Sequence, residues 1–231
     1  MTARKRLKLG VLVSGSGSNL QAIIDCIGTG GLNAEINVTI SNRAGVYALV
    51  RCEKHGIPAV VVRHQDFPAR EDYDQRMIEI LQSHGVDLVV MAGFMRILTP
   101  LFLKAFPMQV MNIHPALLPA FPGVHVQQQA IDYGVKFSGC TVHFADEGVD
   151  TGPVIIQAVV PVLPQDTADT LAARILKEEH RIYPQAIRFY AEGRLQISGR
   201  KVVVRDAPAV SDQALYNPPL TGFRNEKEEV C

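Results

Sequence analysis

"KLGVLVSGSGSNLQAIIDCIGTGG", Lys8 to Gly31, changes periodicity three times. An apolar run gives way to alternating Ser and Gly, then to apolar residues at helical spacing with glycines behind them. That order reads as a buried strand, a tight loop and a helix with a glycine stop. The same cycle repeats downstream. "EINVTISN" (35–42) reads as a strand, "GVYALVRCEKHG" (45–56) as a helix and "PAVVVRH" (58–64) as a short strand. "AREDYDQRMIEILQSHG" (69–85) has acids in its first turn and Gly85 behind its last, as a helix would. "VDLVVMAGF" (86–94) is a nearly all-apolar strand. A βαβαβαβ order implies an α/β fold: a doubly wound, mostly parallel sheet with right-handed crossovers and helices on both faces. Ligands of such sheets sit beyond the carboxyl ends of the strands.

After Pro119 the texture changes. "KFSGCTVHFADEGVDTGPVIIQAVVPV" (136–162) suggests two added strands joined by a shaped loop. "TADTLAARILKEEHRIYPQAIRFYAEG" (167–193) reads as a long helix, with Thr167 or Asp169 as N-cap, Gly193 as terminator and Pro184 as a candidate kink. "RLQISGRKVVVR" (194–205) reads as a small hairpin. No repeat or linker divides the chain, so residues 1–205 are expected to form one domain. Residues 206–231, Pro-rich and charged, are expected to be a loosely held tail.

Lys plus Arg and Asp plus Glu are 23 each among 231 residues, so no global field favours nucleic acid or an anionic membrane. The four cysteines form no Cys-x-x-Cys pair and read as reduced thiols. The basic N-terminus meets only a short apolar segment, unlike a signal peptide, and nothing approaches the roughly 20 apolar residues of a membrane span. A cytoplasmic protein acting on small molecules, as a monomer or a homodimer, is the expectation.

In the loop Ser14-Gly15-Ser16-Gly17-Ser18-Asn19, glycines allow close approach of an anion and the helix N-terminus supplies free N–H donors. A single phosphate suits it. A dinucleotide suits it less, because Leu20 stands where the third fingerprint glycine belongs and Ser41-Asn42-Arg43 offers no acid for a ribose. A tight turn with Ser or Asn capping the helix is the plainer alternative. "VMNIHPALLPAFPG" (110–123) sets Asn112 and His114 two apart, hence on one face of a strand that Pro115 must end. A buried hydrogen-bonded pair under the turn explains them as readily as catalysis. An ionised acid nearby would favour imidazolium, and "ADEGVDTGP" offers Asp146, Glu147 and Asp150. His114, His125 and His143 lack metal-ligand spacing, so no metal is expected, and His143, between Val142 and Phe144, reads as packed or capped within its strand. No nucleophile elbow is present, because "GSGSN" fails at Asn19. Direct attack of one substrate on another, polarised by an amide and an imidazole, remains.

"NIHPALLPAFPG" followed by "DEGVDTGP", together with "VLVSGSGSNLQAII", "AGFMRIL" and "EEHRIYPQAI", resembles the folate-dependent formyltransferases from about Lys8 to Leu195. The branch that formylates glycinamide ribonucleotide in purine biosynthesis matches best. The resemblance implies 10-formyltetrahydrofolate as formyl-donor co-substrate and Asn112, His114 and Asp150 as the catalytic trio. It implies Gly17, Ser18, Asn19 and Glu179 as contacts of the ribonucleotide. It further implies Arg70, Met95, Arg96, Ile97, Leu98, Asp146, Glu147, Gly148 and Val149 around the folate. The residues alone would make Arg70 a surface side chain and Met95 core. Gln127 stands where some relatives carry a second His beside His125, and Ala116 where Ser is common. Rival readings are a 10-formyltetrahydrofolate deformylase, a methionyl-tRNA formyltransferase, which would need a further RNA-binding domain and a basic surplus, and a non-catalytic nucleotide-phosphate or NADP-binding module.

Overall fold

A computed structural model describes residues 5–209 and 213–218. Among the described residues nine strands form one sheet in the order β3-β2-β1-β4-β5-β6-β7-β9-β8. The parallel half comprises β1 (Leu7–Val13), β2 (Ala34–Ser41), β3 (Ala59–Val61), β4 (Leu88–Met91) and β5 (Val110–His114). β6 (Phe137–Phe144) runs antiparallel to β5, and β7 (Val154–Pro161) antiparallel to β6. The hairpin β8 (Leu195–Ser198) and β9 (Lys201–Val204) joins β7 through the parallel pairing of Val154 with Lys201.

Strand alternation sorts the core into two faces. Leu9, Val11 and Val13 pack with α1 (Ser18–Gly28), α2 (Tyr47–Lys54) and the long helix α6 (Ala168–Ala191). Leu12, Val89, Met91 and Val110 pack with α3 (Arg70–Ser83) and α4 (Pro100–Ala105). Gly10, between the two sets, lets α3 close on the sheet, because a Cβ there would lie 2.3 Å from Leu81 Cδ2. Thr167 caps α6 reciprocally with Thr170, as one of the two candidate N-caps. The helix runs unbroken through Pro184, whose ring is buried. Beside it, the fully buried Tyr183 hydroxyl donates to the carbonyls of Met91 and Met111 at 3.1 and 2.8 Å, tying the ends of β4 and β5 together.

Two short helices carry only weak sequence signals. α4 is six residues long with Pro100 at its start. α5 (Val126–Tyr133) begins after His125 in a left-handed conformation (φ 57°) with no side-chain cap. Short helices without caps depend on tertiary packing. Of the expected tail, residues 207–209 and 213–218 form no helix or strand, yet the Asn217 amide donates to the Lys136 and Val162 carbonyls. Residues 210–212 and 219–231 lie outside the described residues, as do residues 1–4. Cys26, Cys52 and Cys140 are free thiols. Among the described residues no helix is long and apolar enough to cross a membrane.

Candidate active site

β5 ends at His114, with Asn112 and His114 on the face opposite Met111 and Ile113. The next strand supplies their neighbours, since Asn112 pairs with His143 and His114 with Thr141. The loop between β6 and β7 brings back the carboxylate. Asp150 sits there in a left-handed conformation (φ 55°), an uncommon state for a non-glycine residue. Its Oδ2 lies 3.3 Å from His114 Nδ1 and accepts the Gly123 N–H at 2.8 Å. The neck of the loop is narrow: a Cβ at Gly152 would lie 1.8 Å from the Phe144 carbonyl oxygen.

His114 is 4% exposed, and Nε2, its other ring nitrogen, meets the Phe121 carbonyl at 2.8 Å. A carbonyl and a carboxylate only accept, so an imidazolium satisfies both neighbours where a neutral ring satisfies one. His143 is its opposite. Nδ1 donates to the Phe144 carbonyl at 2.9 Å, and Nε2 accepts from the Asn112 amide nitrogen at 3.2 Å. Burial pushes the His143 pKa down, against the smaller upward pulls of the Phe144 carbonyl bond and then of Asp150. Asp150 Oδ1 lies 3.7 Å from Nε2, but the neutral ring has no proton on that nitrogen and makes no ion pair there. His143 therefore orients Asn112, a task beyond the packing role its strand position suggests.

The loop 115–123, which has apolar side chains throughout, has its backbone held by Thr141 and Gln157. Thr141 Oγ1 donates to the Ala116 carbonyl at 2.7 Å and accepts from the Leu118 N–H and the Gln157 amide. Gln157 also donates to the Leu118 carbonyl at 2.9 Å. These supports come from strands distant in sequence, so no local pattern marks them.

At the mouth of β1, Gly17 precedes α1 with φ 69°, and no side chain caps the helix. The capping alternative is thereby corrected: neither Ser nor Asn takes the first amides, which stay open to a ligand. A side chain at Gly17 would lie 2.7 Å from the Ala48 Cβ, so both conformation and space require glycine. The buried Asn19 donates Nδ2 to Glu179 Oε2 at 2.7 Å, and its Oδ1 has no partner among the described residues. Burial raises the Glu179 pKa, which the Asn19 bond and His114 partly offset. Glu178, next along α6, faces outward and pairs with Arg181.

The expected folate contacts divide. Met95 and Ile97 are 67% and 56% exposed, whereas Leu98 is 7% exposed and packed in the α3/α4 core. The residue-only reading of Met95 as core is thus corrected: it follows the end of β4 and points outward. Arg96 stacks its guanidinium 5.6 Å from the Tyr73 ring centre. The exposed Arg70 donates to the Ile97 carbonyl at 2.7 Å. Asp146 folds its own loop, accepting from Gly148 N and Thr151 Oγ1, while Glu147, Gly148 and Val149 are exposed. Ser14 joins the two regions, its Oγ accepting the Met95 N–H at 2.9 Å. Among the described residues no group of three or more His, Cys, Asp or Glu is arranged to hold a metal.

A phosphate-ready helix start, an amide–imidazole–carboxylate cluster and an exposed apolar segment meet at the carboxyl edge of this sheet, the arrangement of an α/β group-transfer enzyme. The family described as Formyl transferase matches residues 7–187, and the chain belongs to it. It is 40% identical to the phosphoribosylglycinamide formyltransferase of Haemophilus influenzae over 95% of this chain and 99% of that protein. It is 48% identical to the trifunctional purine biosynthetic protein adenosine-3 of Drosophila melanogaster over 86% of this chain. The chain spans about 15% of that longer relative. The crystal structure of glycinamide ribonucleotide transformylase 1 from Symbiobacterium toebii superposes with a TM-score of 0.87 at 51% identity, covering 88% of this chain and 96% of that one.

Proposed function

We propose that this chain transfers the formyl group of 10-formyltetrahydrofolate to the amine of glycinamide ribonucleotide, in purine biosynthesis. The observation that carries the reading is the Asp150–His114 pair beside Asn112, on the same sheet edge as a helix start that no side chain caps.

The phosphate of the acceptor lies on the amides of Gly17, Ser18 and Asn19, where the helix dipole favours an anion. Glu179 holds the acceptor's polar body, with Asn19 fixing the carboxylate. Met95 and Ile97 give the flat donor an apolar wall, Arg70 and Arg96 lie at its charged end, and residues 146–150 border it.

The amine nitrogen attacks the formyl carbon, and the carbonyl oxygen becomes negative. Asn112 has one Nδ2–H left after donating to His143, and it points its dipole at that oxygen. His114 adds its positive charge and its Nε2–H, once the Phe121 carbonyl gives way to the substrate oxygen. Asp150 keeps the ring charged and oriented. The C–N10 bond then breaks, the amine proton passes to N10, and formylated acceptor and tetrahydrofolate leave. Preorganised donors of this kind act on charge that appears only in the transition state.

The test is the absorbance change as 10-formyltetrahydrofolate loses its formyl group, with and without glycinamide ribonucleotide. Turnover that requires the ribonucleotide is expected. Turnover without it would make the chain a deformylase, and none in either case would leave a binding module.

A further inference from the structure

The segment Gly93–Thr99 follows β4 with no helix or strand of its own, yet its backbone is fastened at three points by side chains from elsewhere. Ser14 accepts the Met95 N–H, Arg70 donates to the Ile97 carbonyl, and Asp74 Oδ2 accepts the Thr99 N–H at 2.7 Å. Arg70 and Asp74 are four residues apart in α3 and so lie on one face of it, over the segment. Asp74 is 2% exposed and forms no ion pair among the described residues. A buried carboxylate is costly unless it is satisfied. Its anchor is the amide at the residue where α4 starts, just ahead of Pro100.

Fixing both ends of Ile97-Leu98-Thr99 has a visible result. Leu98 is driven into the core, and its neighbours Met95 and Ile97 are held out of it. No element of regular structure does this for them.

We propose that Asp74 is a positioning residue for the formyl donor: by holding Thr99 while Arg70 holds Ile97, it sets the depth of the Met95–Ile97 wall against which the donor's ring lies. This rests on the donor-binding reading of that segment. Burial raises the Asp74 pKa, and the Thr99 amide and the charges of Arg70 and Arg96 pull it back. Asp74 thus acts through the segment it holds.

The experiment compares wild type with Asp74→Ala and Asp74→Asn, measuring kcat and KM for each substrate alongside thermal melting. Wild-type turnover of both substrates comes first, and its failure would count against the proposed function, not against Asp74. Asp74→Ala is expected to raise KM for the formyl donor about tenfold, with kcat and KM for the ribonucleotide within about twofold. Asp74→Asn keeps an acceptor oxygen and should restore the donor KM to within about threefold. An unchanged donor KM in a cooperatively melting Ala variant overturns the proposal, as does an equal loss in kcat and both KM values. Should the Ala variant not melt cooperatively, Asp74→Ser replaces it, with a hydroxyl too short to reach Thr99. If neither folds while Asp74→Asn does, the acceptor serves folding at large and the proposal fails.

Discussion

Asp150 Oδ2 lies 3.3 Å from His114 Nδ1 across 36 residues of chain, and the same oxygen accepts the Gly123 amide at 2.8 Å. The carboxylate therefore holds both the imidazole and the loop whose Phe121 carbonyl meets that ring's other nitrogen. The position of His114 thus depends in part on one side chain in a left-handed backbone state.

His114→Ala is expected to lower kcat by ~10²–10³, the usual effect of losing one oxyanion donor, with smaller changes in either KM. Asp150→Asn, which keeps an acceptor for Gly123, should also lower kcat. Full activity in either variant, read by deformylation of the folate, would remove the trio from the mechanism.

Glu179→Gln should keep the bond from Asn19 and lose the charge. KM for the ribonucleotide is expected to rise by roughly 10- to 100-fold, the scale of a charge-assisted hydrogen bond. The donor KM should hold. A rise confined to the donor would place Glu179 elsewhere in the site.

Burial lowers the His143 pKa from its ordinary 6.5, so the folded chain refuses a proton that the unfolded chain accepts. Stability is then complete above about pH 6.5 and is lost as pH falls from there toward the folded value. His180 is shifted the same way by burial, but it is common to both proteins in a comparison of wild type with His143→Gln. The difference in melting temperature between them should narrow from pH 7 to pH 5. A constant difference would mean that His143 titrates alike in both states.

The Arg200 guanidinium, in the turn between β8 and β9, donates to the Thr151 carbonyl at 2.7 Å, one residue beyond Asp150. Arg200→Ala should lower kcat by roughly 3- to 10-fold, the scale of one net hydrogen bond, with both KM values nearly unchanged. Arg200→Lys should recover part of it. If kcat does not move, the hairpin is no brace for the loop that carries Asp150.

The parallel half of the sheet was legible because strand and helix periods alternate cleanly there, and Gly85 and Gly193 stop their helices. α4 was not, since six residues are too few to show a helical period even with Thr99–Pro100 at its start, nor was α5, which begins behind a His in the left-handed state. The proposed catalytic trio and phosphate loop rest on motifs shared with a family, and motifs carry no distances. His143, Thr141, Gln157 and Ser14 went unread as supports, because each reaches a partner from another strand or loop.

By itself the sequence determined the alternation of elements, the face shared by Asn112 and His114 and the end of their strand at Pro115, all consequences of local period and backbone sterics. Only the tertiary structure decided which acid meets His114, which residue orients Asn112, and that Met95 points outward while Leu98 is buried. Those outcomes depend on strand order and loop closure, where contacts between residues far apart in the chain outweigh any local preference.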